Sequence, residues 1–323
     1  MNSKFLLLPT ALMVAGHSAA EAKGKKSDQR PNILVILADD LGYSDLGCYG
    51  SEIHTPNLDK LAKQGVRFNH FYNTSRSCPT RASLLTGLYQ HQAGIGRMTF
   101  DDHLPGYRGT LSRNAVTIAE VLKESGYATS MVGKWHIAET PLRKDQREWL
   151  AHHVYHETYS DLCHYPVNRG FDNHYGTIYG VVDYFDPFSL VEGEVPVKEV
   201  PDGYYITQAL SDRAVKEVKE YAKDDKPFFM FNVTMQNHSP FDAAGVSKDI
   251  KLGYNINAPQ AVQYLNMLRK SDDALKELVT YFKNVKEPTL IIFFGDHEPK
   301  IEESFYEEIE KDYKLDEIYE NLM

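Results

Sequence analysis

Residues 32–38 form an uninterrupted apolar run rich in β-branched side chains, Asn-Ile-Leu-Val-Ile-Leu-Ala. A run without alternation indicates a strand that is buried on both faces, as in a parallel sheet. Further strands are predicted at residues 127–132, 228–233 and 290–294, of which the last two are mostly apolar. Helical periodicity separates them, at residues 55–65, 116–124, 206–218 and 265–282. Strands that alternate with helices predict an α/β fold with a mostly parallel central sheet covered by helices on both faces.

Other segments predict less regular structure. Val66–Phe71 is a further strand candidate, and Ile118, Val121 and Leu122 are predicted to share one face of their helix. Residues 141–205 have weak periodicity and many Tyr and His, so we expect long insertions over the edge of the sheet. The acidic stretch 302–323 is predicted to be an exposed helix.

The N-terminus and the composition restrict location and partners. Lys4, an apolar run from Phe5 to Gly16, and small residues at Ser18 and Ala20 predict a signal peptide over residues 1–22, too short for a membrane anchor. Residues 23–30 are then a linker, and residues 31–323 one large domain of an exported protein, which we place in the periplasm of a Gram-negative bacterium. Three cysteines give no disulfide framework, and a net charge of −10 argues against a nucleic-acid partner.

Polar residues follow the predicted strands at Asp39, Lys134, His238 and Asp296. In open α/β sheets the carboxyl edge of the strands is where ligands bind. The adjacent carboxylates of Asp39 and Asp40 repel each other, and a hard cation such as Ca²⁺ or Mg²⁺ would remove that repulsion. Taken by itself, the pair favours an ordinary loop or helix-capping role instead.

The segment 77–87, Ser-Cys-Pro-Thr-Arg-Ala-Ser-Leu-Leu-Thr-Gly, resembles the maturation signature of the sulfatase family. In that family the first residue is oxidised to formylglycine, whose hydrate attacks sulfur with one hydroxyl and expels sulfate by re-forming the aldehyde. The signature needs one residue before the proline, so Ser77 is the modified position, Cys78 the spacer and Arg81 the arginine. An N-capping serine for a helix starting at Pro79 is the structural alternative.

Three further segments carry the same resemblance, at residues 31–40, 54–62 and 133–136, the last being Gly-Lys-Trp-His. Similarity to arylsulfatases over residues 30–230 implies an alkaline phosphatase-like fold and a sulfated small molecule or glycan as substrate. It also implies a maturase that acts on serine and a bound Ca²⁺, with Mg²⁺ or Mn²⁺ as alternatives. The implied catalytic residues are Ser77, Arg81, Lys134, His136 and His238, and the implied metal ligands are Asp39, Asp40, Ser77, Asp296 and His297.

The second half departs from this pattern. Asn237-His238-Ser239-Pro240 stands where sulfatases have Pro-His-x-Pro, and Gly295-Asp296-His297-Glu298-Pro299 where they have Asp-Asn-Gly. Both segments resemble the phosphoglycerol transferase and lipoteichoic acid synthase branch. A junction near residue 230 and a missing C-terminal subdomain are therefore expected. Sulfate ester hydrolysis is the leading hypothesis for the function. The alternatives are phosphoglycerol or phosphoryl transfer and an inactive secreted hybrid.

Overall fold

The computed structural model describes residues 30–51, 53–140, 158–180, 182–223, 226–241, 250–253, 256–285 and 287–313. Its centre is a seven-stranded sheet in the order β5-β4-β3-β2-β6-β1-β7. The five strands from β3 to β7 in that order are parallel, and β4 and β5 extend one edge in antiparallel fashion. The strands are β1 Asn32–Ala38, β2 Ala128–Gly133, β3 Asn173–Thr177, β4 Leu190–Glu192, β5 Val195–Pro196, β6 Phe228–Thr234 and β7 Thr289–Gly295.

Strand β1 lies at the middle of the parallel part, between β6 and β7, with Val35 opposite both Phe231 and Ile292. Its side chains alternate between two hydrophobic cores. Val35 and Leu37 belong to one core, and Leu34 and Ile36 belong to the other. Burial on both faces explains why this strand is apolar throughout instead of alternating with polar residues.

Within the described residues, six helices cover the sheet: α1 Pro56–Gln64, α2 Ser77–Thr86, α3 Ile118–Glu124, α4 Ile206–Tyr221, α5 Pro259–Phe282 and α6 Glu303–Tyr313. Helices α2 and α3 pack against the face of Val35, whereas α1, α4, α5 and α6 contribute side chains to the core on the opposite face. The predicted α/β class, with a mostly parallel sheet and helices on both faces, is confirmed.

Helix α1 joins the early and late parts of the chain. Its N-terminus lacks a side-chain cap from Thr55. Instead the carboxylate of Asp272, on α5, accepts hydrogen bonds from the backbone N–H of Asn57 and of Leu58, at 2.7–3.2 Å, and from the Asn57 side chain at 2.7 Å. An acidic group at this end also favours the helix dipole.

Several local predictions are wrong. Val66–Phe71 is not a strand. The apolar side chains of this segment are not covered by other elements, and Val66 is 78% exposed. In α3 the buried side chain is Ala119, while Ile118 and Val121 face solvent. The described part of the 141–205 region is not simply an insertion, since it supplies β3, β4 and β5.

The predicted acidic tail is helical over α6, but it is not wholly exposed because Phe305 is buried. The predicted signal peptide, residues 23–29 of the linker, residues 141–157 and residues 314–323 lie outside the described residues. Within the described residues, we find no helix with the length and apolar character needed to cross a bilayer.

Candidate active site

Four parallel strands bring their following residues to one edge of the sheet. Asp39 and Asp40 follow β1, residues 134–136 follow β2, His238 comes four residues after β6, and residues 296–297 follow β7. Ser77 reaches the same edge from the first residue of α2. The structure thus brings together all nine residues predicted for the site.

An acidic cluster lies at this edge, formed by Asp39, Asp40, Asp296 and His297, whose ligand atoms lie within 4.8 Å of one another. The His297 ring lies 3.5 Å from an Asp40 oxygen and 3.7 Å from an Asp296 oxygen. The backbone N–H of Asp40 donates to Asp296 at 3.0 Å, and that of Ser239 donates to Asp40 at 3.1 Å. Three carboxylates and an imidazole so close together can hold a divalent cation.

Two buried cations lie beside the acidic cluster. Lys134 Nζ lies 2.6 Å from one Asp39 oxygen, and Arg81 Nη2 lies 3.1 Å from the other. Burial alone would raise the pKa of Asp39, but Lys134 and Arg81 outweigh it and hold that pKa well below its usual range. For Asp296 the balance is reversed, because burial and the neighbouring Asp39 raise its pKa despite Arg81 at 3.4 Å. Asp296 is therefore the carboxylate that a bound cation would stabilise most.

Ser77 lies between a cation and an imidazole. Arg81 Nη1 donates to Ser77 Oγ, and Oγ lies 3.1 Å from Nδ1 of His136. Burial and then the charges of Lys134 and Arg81 hold the pKa of His136 well below its usual value, so its ring is neutral and Nδ1 can accept the hydroxyl proton. The helix-capping alternative for Ser77 is wrong, because α2 begins at Ser77 itself and Arg76 occupies the cap position.

The neighbouring Cys78 points away from this edge. Its side chain is fully buried in the core on the α2 face, with Sγ 3.9 Å from the sulfur of Met98. Burial raises the pKa of the Cys78 thiol to about 12, so the thiol stays protonated at neutral pH. The thiol is thus shielded by the core and is not in its nucleophilic thiolate form.

Two glycines allow the backbone to approach closely near Lys134 and His136. Gly133 has φ +116°, and a Cβ there would lie 2.0 Å from the carbonyl oxygen of Val233. A Cβ on Gly180 would lie 2.1 Å from the His136 ring. His136 itself has φ +55°, a conformation uncommon outside glycine, so the close packing around it holds a strained backbone.

His238 faces Asp39 from the loop after β6, with Nε2 3.8 Å from the Asp39 carboxylate. Its Nδ1 lies 2.6 Å from the carbonyl oxygen of Ser239, so Nδ1 carries a proton and donates it. Burial and then Lys134 lower the pKa of His238, which leaves the ring neutral and Nε2 able to accept a proton. His238 thus approaches the acidic cluster from the end of β6, and His136 approaches Ser77 from the end of β2.

Two contributors to this edge were not predicted from sequence. Asn73 donates from its side-chain amide to the carbonyl of Asp296 at 2.6 Å, which fixes the end of β7. Tyr184 places its hydroxyl against the loop that carries His238. Tyr184 lies in a region without clear periodicity, and both contacts join residues distant in sequence, so no local pattern marks either one.

The comparisons with known proteins agree on one family. The Sulfatase family model matches residues 31–321. The arylsulfatase of Klebsiella aerogenes is 32% identical over 248 residues, covering 75% of this chain and 49% of the relative. The chain therefore spans about half the length of this relative.

Solved structures give the same result. The crystal structure of Ps i-CgsB in complex with k-i-k-neocarrahexaose has a TM-score of 0.64 at 30% identity, covering 83% of this chain and 58% of that one. A protein of the alkaline phosphatase superfamily from Vibrio parahaemolyticus, at 23% identity, has a TM-score of 0.51 and covers 84% of this chain and 55% of that one. The second likeness concerns the fold alone. With the family model matched over nearly all of the described residues, the chain belongs to the sulfatase family.

Proposed function

We propose that this protein hydrolyses sulfate esters, with formylglycine made from Ser77 as its nucleophile and a divalent cation at the acidic cluster. The observation that carries the proposal is the position of Ser77 Oγ, which contacts both Arg81 and His136 beside that cluster. An ordinary serine hydroxyl is a weak nucleophile, so chemistry at this position needs activation or conversion. Cys78, the other candidate for modification, is buried in the core and carries a protonated thiol.

The residues around Ser77 suit an anionic ester. Arg81, which contacts the Ser77 hydroxyl, and Lys134, which contacts Asp39, are buried positive charges. Fixed charges in a buried site stabilise negative charge that develops during reaction. His136 and His238 are neutral at pH 7, because burial lowers both pKa values. Each can orient the substrate, and each can take up a proton and return it to the leaving oxygen.

The acidic cluster fits a hard cation. Its donors are three carboxylates and one imidazole. Burial, followed by repulsion from Asp39, raises the pKa of Asp296, and Arg81 does not offset these effects. Calcium, with magnesium and manganese as alternatives, would be held by Asp39, Asp40, Asp296 and His297, with Ser77 close by. A bound cation would polarise the ester and fix the nucleophile next to it.

For the substrate we propose a sulfated glycan, with a small aryl sulfate as the second choice. The support is the likeness to Ps i-CgsB, whose structure contains k-i-k-neocarrahexaose, and to the N-acetylgalactosamine-6-O-sulfatase of Bacteroides thetaiotaomicron, 44% identical over 142 residues. We also propose that the protein is exported, and that it depends on a maturase able to oxidise serine.

The test compares four proteins made with and without a serine-acting maturase: the wild type and the variants Ser77→Ala, Cys78→Ala and Ser77→Cys. Turnover of an aryl sulfate and of sulfated oligosaccharides should require both Ser77 and the maturase, and Cys78→Ala should retain it. Ser77→Cys should regain turnover with a maturase that prefers cysteine. Equal sulfatase turnover from wild type and Ser77→Ala would refute the proposal.

A second function has one specific observation in its favour. His297 occupies the place where sulfatases carry asparagine, and its ring lies 3.5–3.7 Å from Asp40 and Asp296, as a metal ligand would. Together with a Ser77 hydroxyl aligned on His136, this favours phosphoryl or phosphoglycerol transfer by unmodified serine. Turnover of phosphate esters by protein made without a maturase, at rates above its sulfatase rate, would support this alternative.

A further inference from the structure

Tyr184 makes an unusual contact for a residue between two strands. It lies between β3 and β4, is 7% exposed, and packs its ring against Tyr205 with a centroid separation of 6.1 Å. Its hydroxyl contacts the carbonyl oxygen of His238 and lies 3.2 Å and 3.4 Å from those of Met235 and Ser239. One buried hydroxyl therefore faces three carbonyl groups of a single loop.

That loop, residues 235–239, carries His238 from the end of β6 to the acidic cluster. Its far end is fixed by the N–H of Ser239, which donates to Asp40, and its middle by Asn237, whose side-chain oxygen accepts from Ser271. Tyr184 acts on the remaining side, at the peptide carbonyl of His238. The three attachments come from three separate parts of the chain, so together they determine where the loop lies.

We propose that Tyr184 is the positioning residue for His238, holding its backbone so that the imidazole faces Asp39. The role rests on the proposed sulfatase function, since it gives His238 a task in turnover. Burial, and to a lesser degree the negative charge of Asp39, raises the pKa of the Tyr184 hydroxyl, so the group remains a proton donor at neutral pH. A carbonyl acceptor demands such a donor.

The mechanism of action is geometric. A hydrogen bond to the His238 carbonyl fixes the orientation of that peptide unit, from which the side chain projects toward Asp39, 3.8 Å from Nε2. Catalytic groups lose rate steeply with small displacements. Losing one buried hydrogen bond at this point should lower kcat roughly fivefold to tenfold, because a displaced His238 serves proton transfer less well.

Tyr184→Phe is the variant that tests this, since it removes only the hydroxyl and keeps the ring against Tyr205. Tyr127→Phe is a matched control. Tyr127 is equally buried, at 7% exposure, and its hydroxyl also donates to a backbone carbonyl, that of Pro31 at 3.1 Å. This contact lies at the start of β1, at the opposite edge of the sheet from the site. Each variant loses one hydrogen bond from a tyrosine hydroxyl to a backbone carbonyl, so Tyr127→Phe reports what such a loss does away from the site.

The experiment has two arms on the full chain. Steady-state kinetics on the matured protein, in the wild-type and His238→Ala backgrounds, measures kcat and KM. Hydrogen–deuterium exchange, which needs no activity, measures protection of the amides in residues 235–239. We expect Tyr184→Phe to lower kcat in the wild-type background alone and to speed exchange in that loop, whereas Tyr127→Phe should do neither.

Three outcomes decide the inference. An equal fold loss of kcat in both backgrounds would show that Tyr184 does not act through His238 and would overturn it. Unchanged exchange at residues 235–239 would overturn it as well, whatever the kinetics show. If the wild type hydrolyses no sulfate ester, the proposed function fails by itself, and the exchange comparison of Tyr184→Phe with Tyr127→Phe still decides whether Tyr184 holds the loop.

Discussion

Replacing Asp272 with alanine should destabilise the protein far more than replacing its neighbour Asp273. The Asp272 side chain, 1% exposed, accepts hydrogen bonds from two backbone N–H groups of α1 and from the Asn57 side chain. Asp273→Ala is the matched control, because Asp273 is adjacent on the same helix and is exposed.

The magnitude follows from the donors left behind. In Asp272→Ala the N–H groups of Asn57 and Leu58 lose their acceptor, and Leu58 is buried, so water replaces the carboxylate poorly. Loss of an N-terminal cap costs ~1 kcal/mol, and a hydrogen bond to a charged group ~2 kcal/mol, so the free energy of unfolding should fall by about 3 kcal/mol. Asp272→Asn, which keeps one acceptor oxygen, should lose about half as much.

Equilibrium unfolding in urea, followed by circular dichroism, measures these differences. Asp273→Ala should stay within about 0.5 kcal/mol of the wild type, as exposed substitutions usually do. If Asp272→Ala and Asp273→Ala unfold at the same urea concentration, the contact between α1 and α5 does not form. The early and late parts of the chain would then not pack through α1 and α5.

Three further predictions concern the backbone, pH and the metal. Gly133→Ala should lower the free energy of unfolding by about 3 kcal/mol or more, measured by thermal unfolding, because the added Cβ would meet the Val233 carbonyl. Gly203 has φ +76° and open space around it, so Gly203→Ala should lower it by only ~1 kcal/mol. Burial lowers the pKa of His174 to about 3, so as the pH falls below about 6.5 the unfolded state takes up a proton before the folded state does, and stability decreases. Between pH 7 and pH 5 the free energy of unfolding of the wild type should fall by about 2 kcal/mol more than that of His174→Gln, as measured by urea unfolding at each pH. Calcium should raise the melting temperature of the wild type, and EDTA should reverse the rise; calcium at one hundred times its Kd stabilises the folded state by ~2.7 kcal/mol. Asp296→Asn should abolish the shift, whereas Asp102→Asn should keep it, because Asp102 pairs with Arg97 outside the cluster.

The sheet was predictable where burial alone decides the structure. Strand β1 is apolar at nearly every position because it is covered on both faces. Such an apolar run can be recognised without knowing which strands lie beside it. Strand β3 was missed since Asn173, His174 and Thr177 make it look polar, although His174 and Thr177 are buried. Val66–Phe71 has the composition of a strand, yet pairing depends on what lies beside it, which local sequence does not encode.

The site was predictable for a related reason. Residues that follow parallel strands meet at one edge, so the sequence alone places Asp39, His238 and Asp296 together. The supporting contacts of Tyr184 and Asn73 were not predictable, because each joins a side chain to a backbone carbonyl more than fifty residues away. Such contacts leave no periodic or motif signal in the sequence.

The proposed maturation of Ser77 is tested most directly by the mass of the peptide that contains it, measured on protein made with a serine-acting maturase. Conversion to formylglycine removes two hydrogen atoms from the Ser77 side chain, so the peptide should be lighter by that mass, or one water heavier than the aldehyde form when hydrated. The converted fraction should rise and fall with sulfatase turnover across preparations. Full sulfatase turnover from protein whose Ser77 peptide has the unmodified mass would contradict the account.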